Sequence, residues 1–407
     1  MQLEKYSFGV GDRFGQEGRA QLRAIQEIGR LGIPVVPVWN KSNREHELIG
    51  TTQEAVRKEA DDAVLANNWI DNYYVDADHI TLDNVDKFLN FSDFFTIDVA
   101  RFIGRQVDPK QKADFLKRNA GYDISAFTNP GTHFDLSRFA DMYLSAILEV
   151  KKLYRYIISK KPDVIIEISM DEVATAQKPL DLYFILRELK HLDIEPHTIA
   201  PKFSGTFAKG VDYEGDRENF ANEFEQDIRI LTAIKNQLDF GHDIKLSIHS
   251  GSDKFSIYPI LNELTAKYDS GIHIKTAGTT WLEEVIGLAR GGGEGLRIAK
   301  EIYHQGIIRF DDLAAPYLSV LHIDPEKLPS YKEVLSWSSV HFARTLIHDQ
   351  TCRDYNPHFR QLVHISYKVA AEMGKEFMDA LEYYRDPIEE QVYINLIDRH
   401  LRRLFLR

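Results

Sequence analysis

A chain of 407 residues, 43% hydrophobic and 28% charged, has the composition of an ordinary globular protein with room for one large or two medium domains. A formal charge of -12 argues against a nucleic-acid partner, which would need a basic face. No run reaches the roughly 18 apolar residues of a spanning helix, the N-terminus M-Q-L-E-K-Y-S holds no long apolar segment, and the single cysteine, Cys352, cannot close an internal disulfide, so a cytoplasmic protein with no membrane partner is expected.

Residues 6 to 13, Y-S-F-G-V-G-D-R, predict a short strand ending on Asp12 and Arg13. A helix follows, with Ala20, Leu22, Ile25 and Ile28 at helical spacing and Gly32 at its close. The apolar run 33 to 40, I-P-V-V-P-V-W-N, is the second strand and finishes on Asn40, Lys41 and Ser42. The next helix is capped by Thr51 or Thr52, with Glu54 in its first turn. The third strand, 72 to 80, ends in Asp76, Asp78 and His79; a short helix over 82 to 89 leads to a fourth strand over 94 to 100.

Residues 105 to 160 then break the rhythm with a helical insertion, including a turn at Asn129-Pro130-Gly131. Strand patterns resume at 163 to 172 (D-V-I-I-E-I-S-M-D-E) and 196 to 203, separated by a helix over 180 to 192. After the acidic loop K-G-V-D-Y-E-G-D and a helix over 220 to 238 comes D-I-K-L-S-I-H-S-G-S-D-K, 243 to 254. There Leu246 and Ile248 alternate with Ser247 and His249 before the turn Ser250-Gly251-Ser252. G-I-H-I-K-T-A-G, 271 to 278, is the eighth strand, and Thr279 or Thr280 caps the helix after it.

Eight βα repeats predict an α/β fold, a closed (β/α)8 TIM-type barrel rather than an open doubly wound sheet. The barrel is expected over residues 1–300, with the helical insertion after strand 4 and a helical C-terminal extension, 301–407, docked on it. The basic end R-H-L-R-R-L-F-L-R reads as an amphipathic docking helix. Gly291 to Gly295 follows a helix rather than a strand, so it reads as a helix–helix turn and not a phosphate loop.

In such barrels the C-terminal strand tips build the active site. Two histidines, His79 and His249, with several carboxylates on one rim suit a divalent cation such as Zn, Mn, Co or Ni. Either histidine could instead be a hydrogen-bonded rim residue. Parity sets His79 with Tyr73, Val75 and Ala77 while Asp78 faces the other way, so the two share a site only through a kinked tip. Asp78 reads as a metal-site neighbour, a catalytic base or a helix cap. Glu167, in mid-strand, must be paired or face the barrel interior. Glu172 is a proton-exchanging acid or an exposed helix start, and Asp212 and Asp216 are oxygen ligands or an acidic turn. Arg13, Lys202 and Lys275 could hold an anionic substrate, or be solvated rim charge. His197 begins its strand and reads as structural; His273 is open.

Taken in order, S-F-G-V-G-D-R-F-G, V-D-A-D-H-I, K-G-V-D-Y-E-G-D, S-I-H-S-G-S-D-K and F-R-Q-L-V-H-I-S-Y-K resemble the tagaturonate epimerases, from about residue 6 to residue 375. The resemblance implies a metal-dependent enzyme interconverting tagaturonate and fructuronate, with relatives acting on tagatose and fructose. It implies metal binding by His79 and His249 with Asp216 or Asp212 third, Asp78 as proton acceptor and Glu172 as donor. Because the two ketouronates differ at a carbon β to the ketone, a retro-aldol and aldol sequence is expected, with direct deprotonation at the inverting carbon by two opposed bases as the opposing route. The competing readings are a metal-dependent sugar isomerase or aldolase and a non-catalytic sugar-acid-binding barrel. The expected partner is a small sugar or sugar acid, and the sequence leaves both a monomer and a homo-oligomer open.

Overall fold

Each of the eight apolar runs becomes a strand: β1 (Tyr6–Val10), β2 (Val36–Ser42), β3 (Tyr74–Ile80), β4 (Phe94–Asp98), β5 (Ile165–Ser169), β6 (Thr198–Ala200), β7 (Lys245–Ile248) and β8 (Ile272–Ile274). The structure is a computed structural model describing every residue except 123, 125–126, 129–133, 172, 174, 276–278 and 407, and omitting also the side chains of 236, 279, 318 and 319. The strands pair in parallel in sequence order, and β8 returns to β1 through Tyr6↔Ile272 and Phe8↔Ile274. The sheet is closed. That excludes the open doubly wound alternative, and the fold is the expected TIM-type barrel.

Strand alternation sorts the side chains. Phe8, Val75, Phe95, Ile97, Ile166, Ile168, Leu246 and Ile248 face the helices and join the main core. The opposite positions fill the barrel. At its lower end Val36, Val38, Tyr74, Phe94 and Ile165 form a small apolar plug. One layer higher the interior turns polar, with Asp76, Thr96, Glu167, Thr198 and Lys275 all buried. Barrel interiors are usually packed with branched aliphatics, so this switch marks where packing gives way to chemistry. His273, left open by the sequence, lies at the boundary, buried, with its Nδ1 2.9 Å from Ser7 Oγ. His197 is structural: it stacks on His242 at 4.0 Å, and its Nδ1 accepts from the Ile166 amide.

The stretch after β4 contains a helix at Pro109–Asn119 and a helical run from Leu136 to Lys160 broken by one π turn at Ala140–Leu144. Its last part, Ser145–Lys160, is the crossover that leads into β5. The turn expected at Asn129-Pro130-Gly131 lies outside the described residues.

The C-terminal helices pack on outer helices of the barrel, chiefly Gly18–Arg30, Tyr258–Lys267 and Thr279–Gly291. A Cβ on Gly287 would fall 2.6 Å from Ile388 Cα, so the helices Thr279–Gly291 and Arg385–Ile394 approach backbone to backbone there. Gly292 and Gly293, at φ 71° and 49°, break the chain between Thr279–Gly291 and the next helix, Gly293–Ile308, as a helix–helix turn requires. At the basic end, Leu401 and Leu404 are buried and Phe405 packs on Tyr6 with ring centroids 4.9 Å apart. No helix among the described residues is long and apolar enough to cross a membrane.

Candidate metal and acid–base site at the barrel mouth

The site is built upward from one lysine. Lys275, just past β8, places Nζ 2.8 Å from Asp76, 2.7 Å from Asp78 and 3.3 Å from Glu167. It also donates to Thr96 Oγ1 at 2.6 Å, and that hydroxyl turns its own hydrogen towards Asp76 at 3.0 Å. Burial alone would strip this lysine of its proton; the three carboxylates outweigh that and hold its pKa well above the ordinary value. The same ion pairs work in reverse on their partners. Burial pushes Asp78 and Glu167 up, but Lys275 with a neighbouring histidine holds both well below the carboxylate range. Asp76, crowded by the other two acids, is instead pushed up by burial to about 6. Lys275 therefore organises the floor, and its charge is already shared out.

Two histidines stand on this floor. His249 follows β7 directly, where Ser250 at φ 49° turns the chain. His79 sits near the end of β3, itself at φ 53°, inside a register shift between Ala77 and Ile80 against β4. That one-residue bulge is the kink parity demanded: it turns His79 to the side that Asp78 already occupies. The rings lie 5.2 Å apart.

Each histidine has one nitrogen committed to a buried acid. His79 Nδ1 is 2.6 Å from Asp78 Oδ1, and His249 Nε2 is 2.7 Å from Glu167 Oε1. Asp171, two residues past β5, completes the group. It accepts from Ser169 Oγ at 2.5 Å, and ligand atoms of His79, Asp171 and His249 lie within 4.8 Å of one another. His249 Nδ1 is buried and makes no hydrogen bond, though it lies 3.2 Å from Asp171 Oδ1. A ring nitrogen and a carboxylate oxygen this close share a cation, either a proton or a metal. Burial lowers both imidazoles, but Asp171 and Glu167 raise His249 to about 10, and Asp78 raises His79 to about 9. The donor set, two nitrogens and a carboxylate with acids behind each ring, fits a divalent metal.

Above the group opens a cavity of about 320 Å³, lined by Asp78, His79, Asp171, His249, Lys275 and Arg13, and continuous in lining with a lobe of about 550 Å³. Arg13 is buried, donates through Nε to Glu45 Oε1 at 3.1 Å, and lies 3.9 Å over the Tyr367 ring. Lys202 lines the larger lobe.

Of the expected site residues, Asp78, His79, His249, Arg13 and Lys275 therefore meet at one cavity. Asp216 does not join them. Its side chain caps the helix Arg217–Gln237 by accepting from the Glu218 and Asn219 amides, and Asp171 takes the third position by the histidines. Asp212 is also committed, accepting from the Tyr213 and Ser256 amides. Glu172, expected as proton donor, lies outside the described residues. Asp171 had a readable signal: Glu167, Ser169 and Asp171 share one strand face, so an interior Glu167 puts Asp171 above it.

The fold and its mouth define a (β/α)8-barrel protein that gathers a histidine–carboxylate group at the C-terminal strand ends. The model of the UxaE family, described as tagaturonate epimerase, matches residues 1–404. The chain belongs to this family, and is an epimerase, an enzyme of the isomerase class. It is 27% identical over 419 residues to the tagaturonate/fructuronate epimerase of Thermotoga maritima, which covers 98% of this chain and 79% of the relative. The glycerol-complexed crystal structure of the fructuronate-tagaturonate epimerase UxaE from Cohnella laeviribosi matches with a TM-score of 0.78 at 25% identity, over 99% of this chain and 82% of that one. The native form of that enzyme matches in fold at 0.80, with 24% identity over the same shares.

Proposed function

We propose that this chain interconverts tagaturonate and fructuronate at the barrel mouth, with a divalent cation held by His79, Asp171 and His249. One observation carries the metal: both histidines give one nitrogen to a buried carboxylate and turn towards Asp171 and each other. That is the arrangement by which proteins orient imidazole ligands. Zinc, manganese, cobalt and nickel all suit two nitrogens and an oxygen. A cation bound there supplies Lewis-acid stabilisation of the negative charge that develops at the ketone end of the substrate. The single cysteine and the sugar-acid substrate fit a cytoplasmic enzyme of hexuronate breakdown.

The chain's own groups do the proton work. Asp78, kept ionised by Lys275 and His79, accepts the proton of the hydroxyl β to the ketone. The bond between the α and β carbons breaks, its electron pair passing to the α carbon as an enolate and leaving the β carbon as an aldehyde. The aldehyde turns its other face and the bond re-forms. Glu172, the donor that the family resemblance implies, returns a proton to the new alkoxide. Each forward turn leaves the proton on Asp78 and Glu172 ionised, and exchange with solvent resets the pair; the reverse reaction exchanges the two roles. Arg13 and Lys202 add positive charge to the walls of the two lobes.

Purified protein assayed on tagaturonate, fructuronate, tagatose and fructose, before and after chelation and metal restoration, tests this reading. Turnover of the uronates that vanishes on chelation and returns with metal is the expected result. An inert protein, or one unaffected by chelators, contradicts it, and release of a free triose identifies an aldolase instead. Turnover in deuterated water tests the bond-breaking step: no label is expected at the inverted carbon, and label there sinks the retro-aldol route.

A further inference from the structure

A uronate carries a carboxylate that a neutral ketose lacks, and something at the mouth must meet it. Of the cations expected to do so, Arg13 pairs with Glu45, and Lys275 sits below among three acids. Two others, not singled out by the sequence, stand at the junction of the lobes. Arg44 and Lys209 both line the smaller cavity with the metal-site residues and also line the larger one. Both approach the ring of Tyr317, Arg44 at 5.1 Å and Lys209 at 5.8 Å from its centroid. The ring is fixed by a 2.6 Å hydroxyl pair between Tyr317 and Tyr367. Lys209 already acts on Glu45, and a substrate carboxylate placed between the two cations adds a charge-assisted contact to each.

The backbone that carries Lys209 is held on every side. Lys254, buried, donates from Nζ to Ala208 O at 2.9 Å and Val211 O at 2.7 Å. Arg360, also buried, donates through Nε to Gly210 O at 2.6 Å, and the Lys209 amide donates to Val320 O at 3.1 Å. Arg44 sits in the first turn of the helix Asn43–Ile49, whose start is fixed by a capping box between Ser42 and Glu45. Both cations thus project from backbone that is already ordered, which lowers the entropic cost of gripping a ligand.

We propose that Arg44 and Lys209, set around Tyr317, form the subsite that holds the carboxylate of the substrate while its ketone end reaches His79, Asp171 and His249. The inference rests on the uronate epimerase reading and deepens it. It assigns the preference for a sugar acid over a neutral ketose to two residues outside the metal group.

Arg44→Leu and Lys209→Met in the metal-loaded enzyme test it. Each is expected to raise KM for tagaturonate about tenfold or more, the cost of losing one charge-assisted contact, with kcat changing far less. The inhibition constant of tagatose, added as a competitor without a carboxylate, is expected to move less than about twofold, and Lys209→Arg is expected to recover most of the lost affinity. An unchanged KM for tagaturonate overturns the subsite, as does an equal loss of affinity for tagatose. A wild-type enzyme that turns over no uronate contradicts the functional reading itself. An active wild type with unchanged variants contradicts the subsite alone.

Discussion

Two groups in this barrel share a composition, a pair of histidines facing one aspartate. At the mouth, His79 and His249 face Asp171. Behind it, His348 and His400 lie 3.7 and 3.8 Å from Asp253, on the loop that continues from His249. At the mouth each ring has a second acid at its back, and burial is overruled: the imidazoles rise to about 9 and 10. In the inner group the aspartate's charge is met by Arg360 at 2.9 Å, and all four side chains are fully enclosed. There burial prevails, taking His400 down to about 4 and His348 below its ordinary value, so both rings are neutral. The inner group is a brace tying the β7 loop to the C-terminal helices. An arginine in contact makes a strut; a cavity and surplus acids make a site.

Breaking each group separates the two roles. His249→Ala is expected to lose both bound metal and turnover to background, measured by elemental analysis and an epimerase assay. Arg360→Met leaves Asp253 as a buried unpaired charge, which costs about 3–5 kcal/mol. Chemical denaturation should show that loss, while the fraction still folded keeps its metal. If Arg360→Met instead removed metal without destabilising the fold, the brace would be part of the site. Glu167→Gln keeps the shape but weakens the acid behind His249, and a loss of about 10–100-fold in metal affinity is expected from titration of the stripped protein.

Lys254→Met is the mildest of these changes. It leaves the Ala208, Val211 and Ser252 carbonyls without their shared donor, at a cost of about 1–3 kcal/mol. Its pH dependence has a fixed sign. Burial, with Lys209 and Arg360 and against the attraction of Asp253 and Asp212, takes Lys254 from 10.5 to about 8 in the folded protein. Between those values the unfolded chain binds more protons, so the wild type gains stability relative to Lys254→Met as pH rises through that window. Denaturant midpoints for both proteins near pH 7.5 and 9.5 should show the gap widening; a gap that narrows contradicts the burial of a charged lysine there.

The barrel was legible because its signals are local. Apolar runs with polar tips recur eight times, and each run can be read without its neighbours. The mouth was only half legible. His249 continues the alternation of Ser247 on β7, so its direction follows from the sequence. His79 points inward only because of a bulge against β4, and no property of V-D-A-D-H-I dictates where a partner strand slips. Asp216 was misplaced although its own signal was present: an aspartate followed two residues later by Glu218 at a helix start is an N-cap before it is a ligand. The engagement of Arg13 by Glu45 and of Lys275 by three acids depends on tertiary contacts, which spacing does not encode.

The choice between Asp171 and Asp216 tests the centre most directly. Metal content and uronate turnover would be measured side by side in the wild type, Asp171→Ala and Asp216→Ala. One divalent ion per chain and near-normal turnover are expected in the wild type and in Asp216→Ala, with both lost in Asp171→Ala. Metal and activity retained by Asp171→Ala, or lost from Asp216→Ala in a folded protein, would contradict the assignment of His79, Asp171 and His249 as the metal centre.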